Sequence, residues 1–373
     1  MVRVLIAPDK FKESLTAKEA ALAIQRGLGE DFSISCKVLP IADGGEGTAE
    51  TVCDVLGGEM VETSVCDPLW RMVQAKYALV DNGKRAIMEM SQASGLWRLK
   101  ADERDPWQAS TRGTGEMMRD AISRGVRRLT IGIGGSATND GGVGMAQALG
   151  FRFLNENNRM LTDLPAELKQ ATQILTTGAQ LPEIDVACDV DNPLLGQDGA
   201  TRVFGPQKGI KPHTFEGFES RFEHLARLVK QELGVDARDE PGAGAAGGLG
   251  FGLMAFCGAK LQSGFELVAD LLDLENEVER ADLIITGEGK VDSQTLHGKG
   301  PHGVAQLAHK HQKPVLIFAG MADDLEAVRA AFDRVEVIRP EGVSIEDSMA
   351  QAPQLLEAAA SNVRGWIRAQ FPA

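Results

Sequence analysis

The sequence predicts an α/β protein: a Rossmann-like parallel-sheet domain built from both chain ends, interrupted by a second, mixed α/β domain. Three observations carry this reading. Both ends of the chain alternate short apolar runs with helical patterns, and polar loops follow the runs. The middle instead holds Asp81-Asn82-Gly83-Lys84 between apolar stretches at 75–80 and 85–90. That is a hairpin signal, and an antiparallel hairpin does not belong inside a parallel β-α series. The length of 373 residues also suits two domains better than one. The expected boundaries are 1–60 with 280–373 for the Rossmann-like domain and 61–279 for the other.

Residues 2–7 read as a buried strand that ends in Pro8-Asp9-Lys10-Phe11-Lys12. Thr16 and Glu19 form a T-x-x-E capping box. Ala17, Ala20, Ala21, Ile24 and Leu28 then share one helical face, closed by Gly27 and Gly29. A second strand, 34–39, runs into Pro40-Ile41-Ala42-Asp43-Gly44-Gly45-Glu46-Gly47 and a short helix. Beyond the hairpin, a helix over 114–124 leads to LTIGIGGSATNDGGVG at 129–144. Here an apolar strand end, a glycine loop and a helix start follow one another. Such a loop points backbone N–H groups outward, and phosphate or carboxylate binds at the helix start. Its bland reading is a tight turn capped by Asn139 or Asp140.

Strands are expected at 151–154 and 185–190, and 204–209 reads as a loop. Phe215, Phe218, Phe222, Leu225, Val229 and Leu233 repeat at helical spacing and read as core. The strand–loop–helix rhythm resumes at 282–286 with Gly287-Glu288-Gly289-Lys290 as its loop. Strands at 314–319 and 335–338 and an amphipathic helix over 352–369 complete the chain.

The composition narrows the partners. A net charge of −14 argues against nucleic acid and anionic membranes. No apolar stretch approaches the ~18 residues of a membrane span, and the first residues are too briefly apolar for a signal peptide. Five scattered cysteines without a CxxC pair read as reduced thiols, so a cytoplasmic protein is expected, monomeric or homodimeric. Glycine is abundant, with 42 residues against roughly 26 at ordinary usage. The glycines cluster in loops where backbone could approach a ligand closely.

GIGGSA (132–137) fits G-x-G-x-x-[GA] after a strand, with Glu156 as the acidic partner a dinucleotide fold requires. A nicotinamide-dependent 2-hydroxy-acid dehydrogenase is therefore one reading. GAGAAG (242–247) fits the same pattern after VDARDEP, which is no strand. No Walker A, G-x-S-x-G or H-E-x-x-H pattern occurs. More informative is the recurrence of carboxylates and lysines in glycine-bordered loops at strand ends. Phosphoryl transfer needs this mixture: lysines neutralise phosphate and substrate anion, carboxylates hold Mg²⁺, and one aspartate accepts the proton of the attacking hydroxyl. Taken singly, each such residue reads as a solvated charge or a helix cap. A non-catalytic sensor of small hydroxy acids would not need the Mg²⁺-type carboxylates.

The segments APDKFKESLTAKEA (7–20), PIADGGEGTAE (40–50), GIGGSATNDGGVGMAQALG (132–150), CDVDNPLLG (188–196), FGPQKG (204–209), GAGAAGGLG (242–250) and ITGEGKVDSQTLHGKG (285–300) resemble the type-1 glycerate kinase family in order and spacing. The resemblance spans essentially the full chain. It implies two α/β domains with a site in the cleft between them. It also implies ATP- and Mg²⁺-dependent phosphorylation of D-glycerate, in glyoxylate or sugar-acid breakdown, with 2-phosphoglycerate favoured over the 3-isomer. The residues expected to carry the chemistry are Asp189, Asp43, Lys10 and Asp292. Asp189 leads as the base because it ends a predicted buried strand. Substrate or phosphate contacts are expected from Asp9, Lys12, Ser14, Gly44, Gly45, Gly134, Gly135, Ser136, Thr138, Asn139, Asn192, Lys208, Gly287, Gly289, Lys290 and Lys299. Mg²⁺ ligands are expected among Asp140, Glu46, Asp191 and Glu288.

Overall fold

The computed structural model describes residues 1–29, 33–176, 178, 180–291, 300–323 and 325–372. Its strands are β1 (Val2–Ile6), β2 (Ile34–Val38), β3 (Glu59–Cys66), β4 (Met72–Val80), β5 (Arg85–Glu89), β6 (Arg128–Gly132), β7 (Arg152–Leu154), β8 (Gln173–Leu175), β9 (Glu183–Ala187), β10 (Lys260–Gln262), β11 (Leu283–Val291), β12 (Val315–Ala322) and β13 (Arg334–Val337). Contacts divide the chain into two units, Met1–Asp43 with Phe265–Ala373, and Gly44–Gly264. The helix Thr48–Leu56, grouped with the chain ends in the sequence reading, instead packs on β4 and β5, which shifts the first boundary from 60 to 43.

The first unit holds a five-stranded sheet in the order β13-β12-β11-β1-β2. Every pairing in it is parallel. A parallel strand is covered on both faces, and Val4, Leu5 and Ile6 of β1 are accordingly all buried. The helix Ala17–Leu28 begins with both reciprocal bonds of the capping box, Glu19 N to Thr16 Oγ1 at 3.2 Å and Thr16 N to Glu19 Oε2 at 2.9 Å. Ala20, Ile24 and Leu28 from this helix join Leu356, Ala360, Val363 and Ile367 of the helix Ala352–Gln370 in one core. β11 is longer than expected. It runs straight through Gly287-Glu288-Gly289-Lys290, pairing Glu288 with Ala319 and Lys290 with Met321. These residues are strand rather than loop. A Cβ on Gly289 would lie 3.1 Å from Lys12 N, a tight approach where the segment after β1 crosses this strand.

The second unit holds a six-stranded mixed sheet, β10-β9-β6-β5-β4-β3. β3, β4 and β5 pair antiparallel, and β5, β6, β9 and β10 pair parallel. The predicted hairpin is present as β4–β5, with Val80 opposite Arg85 and left-handed Asp81, Asn82 and Gly83 between them. β9 stops at Ala187, so Asp189 lies beyond the strand end rather than at it. Residues 204–209 form the end of a short helix and a 3-10 turn, not an open loop. Phe218, Phe222, Leu225 and Val229 of the helix Phe215–Leu233 are buried as their spacing predicts.

Gly27 sets how closely the two terminal helices of the first unit approach. A Cβ there would lie 2.2 Å from Glu357 O and 2.6 Å from Ala360 Cβ. Gly27→Ala should therefore cost about 1–3 kcal/mol by overpacking. The expected readout is a lower urea midpoint at unchanged m. An unchanged midpoint would mean that the helices tolerate the extra methyl group.

Candidate active site

In the second unit, ligand-facing loops gather at the C-terminal ends of the parallel strands, where open α/β sheets bind ligands. Gly132 ends β6 against Gly44, whose carbonyl oxygen would lie 2.1 Å from a Cβ at 132. Gly44 itself lies against Ala187, the last residue of β9, and against Gly264. Asp189, two residues past Ala187, accepts Gly264 N–H at 2.8 Å through Oδ1. Gly44, Gly45, Asp189 and the loop after β6 are thus brought to one edge of this sheet.

Gly134 and Gly135 are exposed, and Gly135 has φ +70°. Among the described residues their N–H groups find no acceptor, while Gly135 O accepts Leu96 N–H at 2.8 Å. Ala137 N–H donates to Ser94 O at 2.9 Å, fixing the loop's far side. Lys208, only 1% exposed, donates from Nζ to Ser136 Oγ and to Thr138 O, both at 2.7 Å. Arg221, equally buried, donates from Nη2 to Asn139 O at 2.6 Å, and its guanidinium lies over the Trp107 and Phe218 rings. Thr138 Oγ1 and Asn139 Oδ1 are buried and have no hydrogen-bond partner among the described residues.

Asp140 is fully buried. Its Oδ2 accepts Thr111 N–H (2.8 Å), Thr111 Oγ1–H (2.8 Å) and Gly144 N–H (3.2 Å), and its Oδ1 accepts Gly142 N–H (3.0 Å). Burial pushes its carboxyl up, and these four bonds pull it back down. With both oxygens so engaged, Asp140 holds the loop and offers no position to Mg²⁺, a correction to the sequence reading. Burial pushes the Lys208 ammonium down to about 7, partly offset by the charge of Asp140, and the Arg221 guanidinium down to about 10 for the same two reasons. Two buried cations thus face one buried carboxylate behind an exposed glycine loop, an arrangement that favours an incoming anion.

The other expected residues belong to both units. Glu46, Asp189 and Asp191 are exposed. Asn192 Nδ2 donates to Asp198 O at 2.8 Å and so shapes its own loop. In the first unit Asp9 is buried after β1 and accepts Lys10 N–H at 2.7 Å, while Asp9 N–H donates to Gly287 O at 2.9 Å. Lys10, Asp43 and Glu288 are half-buried and Lys12 is exposed. Ser14 Oγ donates to Met349 O at 2.8 Å, and Lys290 pairs with Asp323 at 2.8 Å. Asp292 and Lys299 lie outside the described residues. No group of three His, Cys, Asp or Glu side chains suited to a metal occurs among the described residues. No described helix is long and apolar enough to cross a bilayer.

Sequence reasoning missed Arg221, Thr111 and Thr201, whose Oγ1 accepts Asn139 Nδ2–H at 3.3 Å. Arg221 had a signal, an arginine three residues after Phe218 and beside Phe222 on an otherwise apolar stripe. The dinucleotide reading fails on context. The strand that follows the loop and its helix, β7, pairs with β8 and not with the sheet that contains β6. The chain rejoins that sheet only at β9, after the β7–β8 pair, so the compact β-α-β unit of a dinucleotide site does not follow the loop.

Two α/β units, one with an exposed glycine loop beside a buried lysine and arginine, define the class of the fold. The chain belongs to the glycerate kinase family, which it matches over residues 4–368. It is 45% identical over 333 residues to a glycerate 2-kinase of Escherichia coli, covering 88% of this chain and 87% of that one. A glycerate kinase of Halalkalibacterium halodurans is 44% identical over 370 residues, 97% of each chain. A crystal structure from Salmonella typhimurium LT2, provisionally named glycerate kinase 2, superposes with a TM-score of 0.91 at 41% identity over 100% of both chains.

The depressed Lys208 has a measurable consequence. Its ordinary value is 10.5 and its folded value about 7. Between these the unfolded chain binds more protons than the folded one, so stability rises with pH across that window. The burial penalty is full below the folded value and is relieved as pH climbs toward the unfolded value. Lys208→Met should flatten this rise, seen as a smaller gain in urea unfolding free energy from about pH 7 to about pH 9.5 than the parent shows. An equal gain in both proteins would remove Lys208 as its source.

Proposed function

We propose that this protein transfers the γ-phosphoryl group of ATP, with Mg²⁺, to a hydroxyl of D-glycerate, and that the product is 2-phosphoglycerate. The observation that carries the reading is the exposed Gly134–Gly135 loop, whose N–H groups find no acceptor among the described residues, with the buried Lys208 bonded to Ser136 and Thr138 beside it. Family membership supports glycerate as acceptor, and the name of the Escherichia coli relative favours the 2-position.

In this reading the hydroxyl oxygen of glycerate forms the new bond to phosphorus as the bond to the bridging oxygen of ADP breaks. The hydroxyl proton passes to a carboxylate, and Asp189 is the proposed acceptor. It is exposed at the strand-end edge, and Gly264 N–H orients its Oδ1. In the second unit the N–H groups of the glycine loop are proposed to offset negative charge on an anionic group of the substrates, and in the first unit Lys10 and Lys12 are proposed for that role. Nucleotide-borne Mg²⁺ needs only one or two protein carboxylates, because phosphates and waters complete its shell. Within the second unit Glu46 or Asp191, both exposed, meets that modest demand in place of the fully engaged Asp140, and Glu288 is the corresponding candidate of the first unit. Bound there, the ion would neutralise phosphate charge.

Purified protein with D-glycerate, Mg²⁺ and ATP should release ADP only when glycerate is present, and ³¹P NMR should identify 2-phosphoglycerate. ADP release that ignores glycerate would sink the assignment, and the 3-isomer would overturn the regiochemistry. Asp189→Asn should lose roughly 10²–10⁴ in kcat with near-normal glycerate affinity. Recovery of that loss at high Mg²⁺ would instead make Asp189 a metal ligand.

Lys10 supplies a separate test. Removing a desolvated charge-assisted contact costs roughly 1.5–3 kcal/mol, so Lys10→Ala should lower kcat/KM by about 10- to 150-fold. Values within twofold of the parent for both substrates would take this loop out of the reaction.

A further inference from the structure

The first unit contains a pocket of about 290 Å³ that the anion-handling loops do not account for. One wall is Phe11 to Ser14, the segment after β1. Gly289 and Lys290 of β11 and Gly320 and Met321 of β12 form the next. Ile338, Ile345 and Met349 close the far side. The place is not arbitrary. In the order β13-β12-β11-β1-β2 the chain runs outward from β1 to β2 on one side and from β11 to β13 on the other. The β1/β11 junction is therefore the topological switch point, and the pocket lies on its β13 side, at the C-terminal ends of β11 and β12 where open parallel sheets take ligands.

The walls indicate what would fill it. Phe11, Met321, Ile338 and Met349 present apolar and polarisable surface, which suits the face of a flat aromatic ring. The charges on the lining are Lys12, Lys290 and Arg339, with Glu13 the acidic exception. A three-carbon hydroxy acid has no apolar face to place against such walls. A nucleotide has one at its base and carries its anionic groups at the other end.

We propose that this pocket holds the purine base of the nucleoside triphosphate, with the phosphates leaving it past Lys12 toward Lys10. The inference rests on the kinase reading above and adds to it where the nucleotide is gripped. Gly320 keeps the pocket floor flat, since a Cβ there would lie 2.4 Å from Gly289 O.

The test uses the full chain, equilibrium dialysis with radiolabelled ATP, and steady-state kinetics. Met321→Trp fills the pocket. Ile345→Glu sets a carboxylate at its rim, on a residue already 48% exposed, so the fold should tolerate it. Both should raise the Kd and the KM for ATP at least tenfold and leave the KM for glycerate within twofold. Adenosine alone should compete with ATP in the parent protein and not in the variants. A parent that phosphorylates glycerate, with ATP constants unchanged in both variants, overturns the pocket and leaves the kinase reading standing. A parent that binds ATP but does not phosphorylate glycerate, with binding lost in the variants, keeps the pocket and overturns the kinase reading. If Met321→Trp loses its circular dichroism spectrum, Ile345→Glu alone decides.

Discussion

A carboxylate sealed from water stays charged only where donors replace the solvent it has lost, and Asp140 has four such donors. They come from two places. Gly142 and Gly144 begin the helix Val143–Ala148, and Thr111 stands at the start of the helix Arg112–Ser123. Each helix therefore turns its positive end on the same anion. Thr111 Oγ1 also accepts Met145 N–H at 2.9 Å, which closes the arrangement. The path of the loop from Gly134 to Gly142 depends on this knot. Lys208 can reach Thr138 O, and Arg221 can reach Asn139 O, only while the loop backbone stays there.

Bare backbone completes what the carboxylate begins. Gly247 lies so close to the loop that a Cβ would be 2.0 Å from Thr138 O, and its own carbonyl accepts Gly141 N–H at 3.0 Å. Its φ of +69° is a second reason for glycine at that position. The glycine-dense stretch around 242–252 therefore supports the loop from Gly134 to Gly142. Its likeness to a dinucleotide pattern follows from the same demand for residues without side chains.

The parts of this structure that were legible in sequence are those decided locally. The Thr16–Glu19 box, the β4–β5 hairpin and the apolar stripe of Phe215–Leu233 each follow from residues within a few positions of one another. Ser136, Thr138 and Lys208 were all singled out, but the contact between them spans about seventy residues and no spacing rule reaches it. Asp140 was misread because its donors include Thr111, 29 residues upstream. The run Gly287-Glu288-Gly289-Lys290 looked like a loop because glycine is rare in strands. In the structure Gly287 packs against Phe318 O of the neighbouring strand and Gly289 against Phe11 and Lys12, contacts that no local spacing reveals.

The discontinuous first unit has a consequence for the order of assembly. β1 lies between β2 and β11 in its sheet, and it meets β11 only across a separation of 279 residues, the spacing of Arg3 and Asp282. A ribosome adding about 5–20 residues per second needs roughly 14–56 s to make that length of chain. Throughout that interval the apolar edge of β1 has β2 for a neighbour but not β11. The second unit, Gly44–Gly264, is one contiguous stretch and is fully synthesised before β11 begins. The unit begun before the other is thus completed after it. A nascent-chain binder that shields residues 2–6 during translation would act at the point where this fold is most exposed to mispairing.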